Sequence, residues 1–66
     1  MTINFCQNLK AIRTQAGIKI KHISDETDIN LETIYDWESG KRVPNLKNLV
    51  KLAKFFGVTL DQLVFG

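Results

Sequence analysis

Gly17, Gly40 and Gly57 each close a run in which apolar residues recur three or four positions apart. A helix buries such a pattern on one face; a strand cannot use it. Phe5, Leu9, Ile12 and Ala16 precede Gly17. Ile34 and Trp37 precede Gly40, and Leu46, Leu49, Ala53 and Phe56 precede Gly57. Glycine accepts the left-handed backbone on which helices commonly end, so each is read as a stop. The starts are marked too. Asn4 with Gln7 reads as a capping pair, Asn30 and Asn45 as caps, and Thr59 with Gln62 as a capping box for a last turn, Leu60 to Val64. A second helix from about Ile20 to Thr27 has a weaker start. Lys19 cannot cap it, and Lys19 and Lys21 stand at the positive end of its dipole. No alternating run meets a hairpin turn. The expected fold is all-α, with five short helices around one core and a single domain over 1–66.

At 66 residues the chain has room for one small core, and local signals must agree with packing for it to hold. The hydrophobic content of 44% argues against disorder. Cys6 stands alone, so no internal disulfide forms, and a reducing, cytoplasmic setting is expected. Cys6 and His22 are too few for a Cys/His metal site, and no metal or other cofactor is expected. No apolar run approaches a membrane span and no secretory signal opens the chain, so no membrane partner is expected. The sequence holds no nucleophile–base pair and no phosphate-cradling glycine loop. An enzyme is therefore not expected, and no small-molecule ligand is evident.

Residues 20–39 fit a helix-turn-helix unit. Two short helices meeting steeply need a tight turn, a small residue at the contact and apolar inner faces. Ser24 is the small residue. Ile23, Thr27, Ile29, Ile34 and Trp37 supply the faces. Asp28 occupies the turn, where it tolerates a left-handed backbone better than most residues.

The run Thr33-Ile34-Tyr35-Asp36-Trp37-Glu38-Ser39-Gly40-Lys41-Arg42-Val43-Pro44-Asn45-Leu46 resembles the hallmark of phage Cro- and repressor-type (Xre family) helix-turn-helix domains. Leu49 to Leu63, and the opening Leu9 to Arg13 through Gly17-Ile18, are similar to the flanking helices of that family. The resemblance covers nearly the whole chain and implies a lambda-repressor-like DNA-binding domain. Its third helix would lie in the major groove, its first turns reaching base edges. Matched residue by residue, the candidates for base contact are Asn30, Leu31, Glu32, Tyr35 and Asp36. Lys41, Arg42 and Lys47 match positions that approach phosphates, which orient a protein without reading sequence. Arg13 and Glu38 match a pair linking the first helix to the third.

Two features depart from the family pattern. Where the second helix usually opens with Ser or Thr followed by a phosphate-binding Gln, this chain has Lys19 and Ile20; Lys19 or Lys21 would supply a point charge instead. The third helix carries Glu32 and Asp36 where Arg, Lys or Gln are common. Acids near DNA are repelled unless they accept from cytosine amino groups. Six of the seven acids lie between 25 and 38, and all nine bases lie outside that stretch. Glu32 also sits in a first helical turn, where a carboxylate favours the dipole whether or not DNA is present. Tyr35 reads equally as a groove contact or a plain exposed aromatic.

The implied function is a sequence-specific transcriptional regulator, a repressor, binding duplex DNA as a homodimer on a palindromic operator. The alternative is a protein-interaction module that kept the fold and lost DNA binding. Val64 and Phe65 end the chain with little left to cover them, so they are the expected dimer contact, Leu60 and Leu63 facing the core. The other reading has Phe65 folding back onto the core.

Overall fold

The computed structural model describes residues 4–66; the first three residues of the expected 1–66 unit lie outside the described residues. Five helices follow in order: α1 (Phe5–Gln15), α2 (Ile20–Thr27), α3 (Leu31–Ser39), α4 (Leu46–Phe56) and α5 (Leu60–Val64). The described residues contain no strand, and the fold is the expected all-α one. None of the described helices is long and apolar enough to cross a membrane.

Most boundaries follow local chemistry. The Asn30 side chain accepts from the Glu32 N–H and the Asn45 side chain from the Asn48 N–H. Thr59 and Gln62 close a full capping box. Lys19 starts α2 with extended backbone and no side-chain cap, as its chemistry requires. Asp28, Gly40 and Gly57 end α2, α3 and α4 in left-handed backbone, with φ of 60°, 82° and 69°.

Asn4 does not cap α1. Its ψ of 40° is not the extended backbone that aims a cap side chain at the first turn, and no side-chain bond forms. Its N–H instead donates to the Val64 carbonyl at 3.0 Å, tying the start of α1 to the end of α5. The Asn8 side chain adds a second tie by donating to the Leu63 carbonyl at 3.3 Å.

The core is built from Phe5 and Leu9 of α1, Ile20 and Ile23 of α2, Ile29 of the turn, Ile34 and Trp37 of α3, Leu52 and Ala53 of α4, and Leu63 of α5. Trp37 is its largest member and meets Phe5 edge to face, centroids 6.3 Å apart, a favoured aromatic geometry. Three expected core positions are exposed. Ala16 lies past the end of α1 as its cap. Leu46 and Leu60 open α4 and α5, where side chains lean back toward the preceding loop and away from the core. The buried face of α4 is formed instead by Leu49, Leu52, Ala53 and Phe56.

The turn between α2 and α3 is held from both sides. Asp28 is the one non-glycine residue with positive φ among those described. The Ser24 hydroxyl donates across the turn to the Ile29 carbonyl. Lys51 reaches from α4 to the Thr27 carbonyl at 3.5 Å, placing positive charge at the negative end of α2. The α2–α3 pair packs through α3 against α1 and through α2 against α4, with the outer side of α3 left uncovered.

Candidate nucleic-acid interface

Ile34 and Trp37 turn one side of α3 into the core, so the opposite side must face out. That side carries Tyr35, 55% exposed, and the exposed Glu32, while Leu31, three positions before Ile34 and 38% exposed, stands at the edge of the inward side. Asn30 is exposed at the helix entrance, but its side-chain oxygen is already engaged by the Glu32 N–H at 2.8 Å, which leaves its amide N–H groups free to reach outward.

Asp36 differs from the expectation of an exposed acid one turn after Glu32. Its side chain is only 26% exposed, and Oδ2 lies 3.3 Å from Nε of Arg42. The left-handed turn at Gly40 causes this. It folds the chain back so that the N–H groups of Lys41 and Arg42 donate to the Asp36 carbonyl at 2.9 and 3.3 Å. Arg42 is thereby returned to the helix it has just left.

The basic candidates are all exposed. Lys41 and Arg42 follow α3, and Lys47 stands in the first turn of α4. Lys19 and Lys21 flank Ile20 at the start of α2. Ile20 and Tyr35 line one shallow cleft, together with Lys10, Arg13, Glu38 and Ser39, so the start of α2 sits beside the outer side of α3. Of the basic candidates, Arg42 is held against α3 through Asp36, while Lys19 and Lys21 line a separate cleft with His22 and Asp25. Sequence reasoning missed the loop Lys41 to Asn45 as a surface: Val43 is 77% exposed there, next to an exposed Leu46, while Pro44 is buried.

Behind this face lies the pair Arg13 and Glu38. Arg13 Nε donates to Oε2 at 2.6 Å, Nη2 to Oε1 at 3.0 Å, and Nη1 to the Ile18 carbonyl at 3.1 Å. The side chains are 17% and 8% exposed. The hydrogen bonds that Arg13 donates to Glu38 push its guanidinium above its ordinary range. The pair ties α1 to the last turn of α3 and so helps fix the angle at which α3 is presented.

A model of the helix-turn-helix family matches residues 9–63, nearly the whole described chain. The chain belongs to the Cro/repressor-type (Xre) helix-turn-helix family. Within it, the chain is 33% identical over 64 residues to the HTH-type transcriptional activator BcrR of Enterococcus faecalis, covering 97% of this chain and 31% of that protein. It is 27% identical over 60 residues to the CTXphi transcriptional repressor RstR of Vibrio cholerae, covering 91% and 54%. The chain therefore spans about a third to a half of these curated relatives. A transcriptional regulator from Listeria innocua superposes with a TM-score of 0.88 at 26% identity, over 97% of this chain and 60% of that one. At that similarity the five helices, and with them the position of α3, belong to this helix-turn-helix family as a shared framework.

Proposed function

We propose that this Xre-type chain is a transcriptional regulator's DNA-binding unit, a repressor that occupies its operator with α3 in the major groove. One observation carries the reading: the outer side of α3 is exposed, and exposed bases stand on the segments joined to it, Lys41 and Arg42 just after α3, Lys47 in the first turn of α4, and Lys19 and Lys21 at the start of α2. The major groove admits a single α-helix and displays a distinct pattern for each base pair. Leu31, Glu32 and Tyr35 are the side chains available to read it, with the Asn30 amide at the entrance, while the flanking bases neutralise phosphates.

A single helix reads few base pairs, so the working form is a homodimer on a palindromic site, two copies of α3 about one turn of B-DNA apart, roughly 34 Å. Val64, half-buried, and Phe65, 39% exposed and outside the core, are the apolar residues offered for that contact. The activity is binding rather than catalysis, and the setting is the cytoplasm, where a lone Cys6 stays reduced.

Selection from random duplexes at two salt concentrations tests this. The expected result is enrichment of a two-fold symmetric site whose binding weakens steeply with salt, by about 0.9 log units per log unit of salt for each phosphate neutralised. Failure to enrich any duplex leaves the chain as a protein-interaction module on the same fold.

A further inference from the structure

An acid at the second exposed turn of a groove-reading helix ought to oppose binding, yet Asp36 is not a free acid. Five contacts converge on it, one of them the Gly40 N–H donating to its carbonyl at the helix end. Its carbonyl accepts from the Lys41 and Arg42 N–H groups and from the Ser39 hydroxyl, at 2.9, 3.3 and 3.0 Å. Its carboxylate faces Arg42 Nε at 3.3 Å. Residue 36 is thus joined to the chain that leaves α3 through both backbone and side chain.

The two partners are unequally placed. The Asp36 side chain is 26% exposed and the Arg42 side chain 67% exposed. The acid lies behind, against the helix end, and the base lies in front, toward solvent. A phosphate approaching this corner meets the guanidinium first. A long arginine side chain otherwise loses much rotamer freedom when it grips a ligand; one already tethered has lost part of it beforehand.

We infer that Asp36 is a positioning residue: it contacts no base, and it acts on DNA binding only by holding Arg42 in place for a phosphate. Readout is then confined to Asn30, Leu31, Glu32 and Tyr35 in the first half of α3. The inference rests on the DNA-binding reading above. Where the sequence alone places two acids in the groove, the structure leaves one, Glu32.

The test is a double-mutant cycle with Asp36→Asn, Arg42→Ala and the double variant, titrated on the selected duplex and on an unrelated one, with site selection repeated for Asp36→Asn. The inference expects Asp36→Asn to weaken both duplexes by the same factor, about two- to five-fold as for an exposed ion pair. It expects no further loss when Asp36→Asn is added to Arg42→Ala, no change in the selected site, and recovery of binding with Asp36→Glu. An altered base preference at one position makes Asp36 a reader and overturns the inference. Tighter binding by Asp36→Asn, in either background, makes it an unpaired repelling acid and overturns it too. Wild-type protein that binds neither duplex sinks the DNA-binding reading and the inference together. Wild-type binding with additive, independent losses sinks the inference alone.

Discussion

Arg13 and Glu38 meet as a two-pronged ion pair between α1 and α3, twenty-five positions apart in the chain and largely shielded from water. With Nη1 also donating to the Ile18 carbonyl, one guanidinium joins α1, the α1–α2 loop and α3. Removing one partner leaves the other charge in a shielded site without its match. Arg13→Ala and Glu38→Ala are each expected to cost about 2–4 kcal/mol, below the full cost of breaking a deeply buried pair. A double-mutant cycle in chemical denaturation checks this; independent effects would show that the two charges do not act together.

Lys41 follows α3, Lys47 stands in the first turn of α4, and neither makes an ion pair among the described residues. Replacing either with Ala is expected to weaken all duplexes alike and to lower the salt slope by about one unit per lost contact. Titrations at several salt concentrations measure both quantities. An unchanged slope would remove these lysines from the phosphate contacts.

Much of this framework can be read from neighbouring residues. Asn30, Asn45, Thr59 with Gln62, Gly40 and Gly57 work through atoms within a few positions, so caps and stops are legible in the chain itself. Asn4 is not, because its N–H is claimed by Val64 sixty residues away. Periodicity placed Leu46 and Leu60 inward but does not say where a neighbouring helix stops covering a face. The period 46, 49, 53, 56 also steps over Leu52, which is fully buried. At the candidate interface, the exposure of Glu32 and Tyr35 follows from their spacing against Ile34 and Trp37. The pairing of Asp36 with Arg42 does not, since it depends on how far the Gly40 turn folds the chain back.

Glu32 is the one acid left exposed on the outer side of α3. Glu32→Gln is expected to change base preference at a single position, by about 1–3 kcal/mol, while preserving affinity for unrelated duplexes. Repeating the site selection with the variant measures this. The same selected site for both proteins would assign Glu32 to the helix dipole alone.

Phe65 lines an open depression with Asp61, Gln62 and Gly66, and the core stands without it. Phe65→Asp is therefore expected to leave thermal unfolding nearly unchanged while weakening binding to a palindromic operator about ten-fold. The affinity for an isolated half-site should hold. Sedimentation on the two duplexes gives the stoichiometry. A variant that stays folded and binds the palindrome as wild type does would move the dimer contact elsewhere.

The central claim is that α3 enters the groove, and nuclear magnetic resonance tests it most directly. Titrating ¹⁵N-labelled protein with the selected duplex should perturb the amides of Leu31, Glu32 and Tyr35 most strongly, followed by Lys19, Lys21, Lys41, Arg42 and Lys47. The outer side of α4 at Lys54 should stay unchanged. Perturbations centred on α4 or α5, with α3 silent, would contradict the claim.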